Sequence, residues 1–190
     1  MRSYPLALSL TLVACLAGAP YAVRAADAPA DTFCPRAVPQ LTAFNQLIAE
    51  GGKDLAKVAS VAGAAAHQYQ LCIGEATTNV VDEPRINYDR VRAAQFLVVQ
   101  GRALAATGDA KGALQALKDA RTLADFVAKW EPSAQGYSQS NNGTGYSASR
   151  GTPDHTGSRY RESATQIVAA ADTELAKLNT HPQAQATSKP

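Results

Sequence analysis

The chain has 190 residues, 46% of them hydrophobic, with 18 Lys and Arg set against 16 Asp and Glu. A formal charge of +2 leaves no basic footprint for nucleic acid or an anionic membrane surface, so neither is expected as a partner. The length suits one domain with a substantial core.

The first 25 residues read as an export signal. Arg2 supplies a basic n-region, an apolar run follows from Leu6 to Ala17, and Gly18-Ala19-Pro20 breaks it. Val23-Arg24-Ala25 then fits the small-x-small cleavage pattern. The run is too short to span a bilayer, and nothing later reaches about 18 apolar residues, so the mature chain is expected to carry no transmembrane segment. Leu12-Val13-Ala14-Cys15 also fits the lipobox of bacterial lipoproteins, which makes Cys15 an alternative point of lipid attachment. The expected location is periplasmic or secreted, with a lipid anchor through Cys15 as the alternative. Losing Arg2 and Arg24 leaves 16 basic against 16 acidic residues, a formally neutral mature chain.

Residues 26–36 are expected to form a flexible leader, and 37–180 a single helical domain. The first helix is predicted from about Pro39 to Glu50, with Leu41, Phe44, Leu47 and Ile48 on one face and Gly51-Gly52 as its stop. The second runs from about Lys53 to Glu75. Its positions Leu55, Val58, Ala62, Ala65, Tyr69 and Cys72 recur at helical spacing, and Gly74 with Thr77-Thr78 is expected to end it. Asp82, Glu83 and Pro84 suit the start of a third helix, which continues through Ile86, Val91, Phe96, Leu97, Val98 and Leu104 to Thr107. Gly108-Asp109 makes a turn. A fourth helix follows from about Ala110 to Trp130, carrying Leu114, Leu117, Ala120, Leu123, Phe126 and Val127. Residues 133–158 are Gly, Ser, Asn, Thr and Tyr with almost no aliphatics, a polar loop expected to be mobile or functional. A fifth helix resumes near Ser158, with Tyr160, Ala164, Ile167, Ala171, Leu175 and Leu178 at steps of three and four. The tail, 181–190, lacks periodicity and is expected to be disordered. No segment reads as a strand. The fold class is all-α, about five helices in antiparallel hairpins.

With Cys15 in the signal, Cys34 and Cys72 are the only candidates for a pair. They lie about 17 residues before and about 20 after the Gly51-Gly52 turn, which at about 1.5 Å per residue places both at the same open end of a helical hairpin. They lack the close Cys-x-x-Cys spacing of redox-active pairs, so a structural disulfide is expected.

One stretch carries a family pattern. Gly101, Leu104, Gly108-Asp109, Ala113, Leu117 and Ala120 fall at the spacing of small and apolar residues in one helical hairpin. Gly101 and Ala113 let two antiparallel backbones approach, while Leu104 and Leu117 fill the seam. In this, residues 94–120 resemble a tetratricopeptide (TPR) hairpin. Leu97 stands where that family often has Trp, and Asp125 where it usually has Pro. About one repeat is covered, with no second copy at the 34-residue spacing, so a generic helical bundle remains the alternative. The resemblance implies a groove that binds peptide or protein, and no chemistry.

Catalytic and metal readings fare worse. His67 lies five residues before Cys72, on a different helical face, and none of the three His forms a His-x-x-His or Glu-x-x-His pattern. Gly145-Tyr146-Ser147-Ala148-Ser149 and Gly136-Tyr137-Ser138-Gln139-Ser140 approach a nucleophile elbow, but both end in Ser instead of Gly and follow no strand, and Asp154-His155 makes no triad. Paired carboxylates would have to come from Glu75 with Asp82 or Glu83. Cys-x-x-Cys-His and phosphate-cradling Gly loops are absent, so no cofactor is expected. Tyr137, Tyr146 and Tyr160, set among Ser, Gly and Asn, have the composition of a binding loop, although a disordered low-complexity insertion is the favoured reading of the same residues. Arg150, Arg159 and Arg161 flank it, and Asn142-Gly143-Thr144 matches a glycosylation sequon.

The expectation is an exported, non-enzymatic helical protein that meets a protein or peptide partner in the cell envelope. The alternative is a small-ligand carrier or sensor with the Tyr/Ser/Gly loop as lid.

Overall fold

A computed structural model describes residues 33–78, 83–130 and 155–180, with side chains at 33–76, 85–130 and 160–180. Every regular element among them is helical. A short 3-10 turn at Pro35–Ala37 leads into α1 (Val38–Ala49), followed by α2 (Leu55–Thr78), α3 (Glu83–Ala106), α4 (Ala110–Ala128) and α5 (His155–Thr180). None of these helices is long and apolar enough to cross a membrane.

Local chemistry sets the boundaries. At the end of α1, Gly51 and Gly52 take φ of 91° and 57°, so the Gly52 N–H reaches the Leu47 carbonyl at 2.8 Å and the Gly51 N–H that of Ile48 at 3.0 Å. The Asp54 carboxylate then accepts the Lys57 N–H at 3.0 Å and starts α2. The α3–α4 turn is equally compact. Asp109 donates its N–H to Leu104 O at 2.9 Å, closing α3, while its carboxylate accepts the Gly112 N–H at 2.9 Å, opening α4. One residue therefore serves both helix ends.

Pair contacts fix the direction of every helix. Cys72 of α2 meets Cys34 ahead of α1, while Val58 and Ala59 of α2 cluster with Phe44, so α1 and α2 are antiparallel. Tyr69 meets Arg92 and Gly63 lies against Gln100, which sets α2 against α3. Arg90 over Phe126 and Gly101 against Leu117 do the same for α3 and α4. Between α3 and α5 the numbers rise together: Tyr88 meets Tyr160 and Arg102 meets Glu174, both pairs offset by 72 residues. Those helices run parallel, side by side, over 14 residues or about 21 Å. Phe44 of α1 packs edge-on against Phe96 of α3 at 5.2 Å. The odd-numbered helices thus share one layer, and α2 and α4 pack behind it.

The core is rich in small residues. Ala62, Ala65, Ala93, Ala94, Ala113, Ala120, Ala124, Ala164 and Ala171 are buried, and the larger Tyr69, Phe96, Leu97, Leu117, Val127 and Ile167 fill between them. Close axes replace bulk here, because an Ala-lined seam brings two backbones near enough to exclude water without long side chains.

Several differences from the sequence reading have physical causes. Helix α2 continues past Gly74 to Thr78, since one exposed glycine costs a helix only about 1 kcal/mol, less than the packing of α2 on α3 supplies. Helix α5 begins at His155, three residues ahead of Ser158. Residues 33–36, at the end of the expected leader, belong to the domain: Cys34 is fully buried and Arg36 pairs with Glu75. The Cys34–Cys72 disulfide is present, across 38 positions of sequence. A loop of that length stabilises by about 4 kcal/mol in the chain-entropy treatment.

Candidate binding strip on the third helix

Helix α3 is surrounded on three sides. It packs along α2, with Phe44 of α1 against Phe96 on the same side, packs along α4 and also touches α5, and one narrow face is left between the α1–α2 side and α5. Tyr88, Arg92, Gln95, Val99 and Arg102 occupy it at alternating steps of four and three, so they fall in one row, and each is half-buried.

The row is organised by its flanks. The Arg92 Nε donates to the Tyr69 hydroxyl of α2 at 3.4 Å, and its Nη1 donates to Gln95 Oε1 at 3.0 Å. The same guanidinium lies over the rings of Phe96 and Tyr69, at 5.4 Å and 5.7 Å from their centroids. At the opposite end Arg102 Nε donates to Glu174 Oε1 of α5 at 3.0 Å, and Lys177 closes on the same carboxylate. Tyr88 is the hub of an aromatic cluster, with ring centroids at 5.2 Å to Phe33, 6.0 Å to Tyr160 and 6.5 Å to Tyr69. The strip therefore presents two forked cations about 15 Å apart, an amide between them, and aromatic edges at one end. Such groups suit an extended backbone and its carboxylates, which a guanidinium can take bidentately.

On the far side of α3, Arg90 lies over the Phe126 ring at 3.9 Å and donates to Asn87 Oδ1 at 3.2 Å, and partial burial pushes its guanidinium below the ordinary value. Asn87 and Asp89 are buried within α3.

The residues singled out from sequence are distributed as follows. Cys34 and Cys72 are joined. Gly101, Ala113, Leu117 and Ala120 are buried in the α3–α4 seam and Leu104 is half-buried beside it. A methyl group on Gly101 would sit 2.6 Å from Leu117 Cγ, so the glycine is what permits the approach. Tyr160 joins the aromatic cluster, whereas Tyr137 and Tyr146 lie outside the described residues, as do Cys15, Asn142, Ser138, Ser147, Arg150 and Asp82. His67 is exposed on α2 while Cys72 is buried and disulfide-bonded, so the two share no site. Glu75 is held by Arg36. Among the described residues no three His, Cys, Asp or Glu cluster as metal ligands do.

Sequence reasoning missed Tyr88, Arg92, Gln95 and Arg102. Their four-and-three spacing was the available signal, but Asn87, Asp89, Arg90 and Gln100 put further polar residues on other faces of α3, so the row does not stand out. No protein family, curated protein or solved structure matches this chain.

Proposed function

We propose that this chain is an exported, non-enzymatic helical module of the cell envelope that binds an extended segment of a partner protein along the α3 strip. The carrying observation is the row Tyr88–Arg92–Gln95–Val99–Arg102, half-open between α2 and α5, with Arg92 and Gln95 preorganised by one hydrogen bond. Preorganised side chains lose little freedom on binding, which favours recognition over a short contact length. The TPR-like spacing of Gly101 to Ala120 and the export signal at 1–25 support the same reading, with Cys15 as the point of lipid attachment in the alternative. Intact mass of the mature protein distinguishes cleavage after Ala25 from a lipid-modified Cys15.

The test uses mature protein, envelope extract and a panel of extended peptides. Arg92→Ala and Gln95→Ala are expected to weaken capture at least tenfold at unchanged thermal midpoint, while Arg121→Ala on α4 leaves it intact. Equal capture by all variants, or no capture by the native chain, rejects the reading. The aromatic cluster around Tyr88 and Tyr160 favours the second reading, a small-ligand carrier. Ligand-dependent change in Trp130 fluorescence, lost in Tyr88→Ala, would support it.

A further inference from the structure

We propose that α1 with its lead-in is a redox-releasable strap, held across an apolar patch of α2 and α3 by the Cys34–Cys72 disulfide and freed when a dithiol reduces that bond. The inference is independent of what the α3 strip binds.

Three observations carry it. The first is how α1 is attached. Its described side-chain hydrogen bonds, Thr42 to Val38 O and Gln46 to Glu50, stay within the helix and its cap. The contacts that tie the segment to the rest include the disulfide, the exposed Arg36–Glu75 pair, the Phe33–Tyr88 ring contact, and apolar contacts centred on Ala37, Leu41, Phe44 and Leu47. The second is that α1 has only 12 residues and no side-chain N-cap, short of the length at which a helix stands alone in water. Its far end is the Gly51-Gly52 turn, where both residues are left-handed and a change of direction is cheap. The third is what lies beneath: Phe44 covers Val58 and Ala59 of α2 and meets Phe96 and Ala103 of α3, beside Val99 of the strip. Lifting α1 would therefore extend the strip sideways with apolar surface, while the longer helices α2 to α5 keep their mutual packing.

The disulfide is the restraint that makes closure persistent. With both ends tied, α1 opens against ring closure as well; with one end free it opens against its side-chain contacts, the Arg36–Glu75 pair and Phe33–Tyr88 included, and no longer against the crosslink. A crosslink spanning 38 positions corresponds to about a hundred- to thousandfold change in the open population. The chemistry is thiol–disulfide exchange. A thiolate of an external dithiol attacks one sulfur and expels the other as thiolate, which takes up a proton. The second thiol of the dithiol then resolves the mixed disulfide, leaving Cys34 and Cys72 as thiols and the dithiol oxidised. Both sulfurs are buried, Cys34 at 0% and Cys72 at 2% exposure, so attack waits on transient lifting of the strap. Access gates the bond, and the bond gates the strap.

Hydrogen exchange on the full mature protein tests this, comparing the oxidised form with the same sample reduced by dithiothreitol under native conditions. Alkylation of both thiols verifies complete reduction. In the reduced protein, the slowest amides of residues 40–49 are expected to exchange at least about tenfold faster than the slowest of 113–127 and 164–175, and with a weaker dependence on added denaturant. The same rate and denaturant dependence in all three stretches would make the bond a global staple and overturn the proposal. So would unchanged protection in 40–49, or a bond that dithiothreitol cannot reduce without denaturant. In the oxidised protein, Phe44→Ala is expected to speed reduction at least tenfold, and an unchanged rate rejects the gating.

Discussion

Gly101→Ala measures the α3–α4 seam directly. In an open helix the change would stabilise by about 1 kcal/mol, because alanine surrenders less backbone freedom on folding. Here the added methyl would lie 2.6 Å from Leu117 Cγ, 2.9 Å from its Cδ2 and 3.3 Å from the Ala113 carbonyl oxygen. The first contact is a branch carbon of a fully buried side chain and the last is backbone, so neither can swing aside. Overpacking of this kind costs about 1–3 kcal/mol, which outweighs the propensity gain and leaves a net loss of about 1 kcal/mol. For a domain of this size the thermal midpoint should fall by about 2–4 °C. The decisive measurement is a double-mutant cycle by urea denaturation. Leu117→Ala alone should cost about 3 kcal/mol, but about 1–2 kcal/mol less when Gly101 is already alanine, since the truncation then relieves the clash. An additive cycle, or a Gly101→Ala protein more stable than native by the full propensity gain, would refute the close approach.

Three further substitutions discriminate among the polar contacts. Glu174→Ala removes the partner of the half-buried Arg102, at 17% and 21% side-chain exposure, and should cost about 1–2 kcal/mol in a urea titration. Arg121→Ala breaks the exposed pair with Asp172 and should leave the urea midpoint unchanged, at low salt and in 1 M salt alike. Asp109→Ala loses the cap on Gly112 and should cost about 1 kcal/mol, seen as a lower midpoint at constant slope.

The helices were legible in the sequence because their stops were. Gly51-Gly52 and Gly108-Asp109 each code for a left-handed step that ends one helix and frees the chain to start the next. The disulfide was legible because two cysteines at similar distances from one turn must meet. The facing of α4 was less so. Phe126 lay within the expected apolar stripe yet is 52% exposed, because the seam runs through Ala113, Ala120, Ala124 and Val127, and the ring packs flat beneath Arg90. Hydropathy weights a phenylalanine over an alanine, whereas close axes select the smaller residue. The α3 strip was hidden for a related reason. Helix α3 carries polar residues on several faces, Asn87, Asp89 and Arg90 among those away from the row, so its own pattern does not say which polar row is left uncovered. That depends on where α2 and α5 sit, and the parallel register of α3 with α5 is set across the intervening α4 and 131–154.

The same geometry explains how one hairpin can belong to a stable domain. Residues 94–120 alone would leave Phe96, Val98 and Ala103 in water, a loss no seam between two helices offsets. Helices α1 and α2 cover Phe96 and Ala103 from one side, and Ala164, Ile167 and Ala171 of α5 join the same core from the other. Beyond α5 the pattern changes: Arg161, Glu162, Thr165, Asp172, Thr173 and Lys177 are exposed along its outer face. A stack of helices that ends on a charged face has no apolar surface left to seat another. On the first side, by contrast, the covering element is the short α1, tied down by a covalent bond. Among the described residues, the two ends of the stack are closed by different physics, α5 by polarity and α1 by a crosslink, and a reductant acts on the second alone.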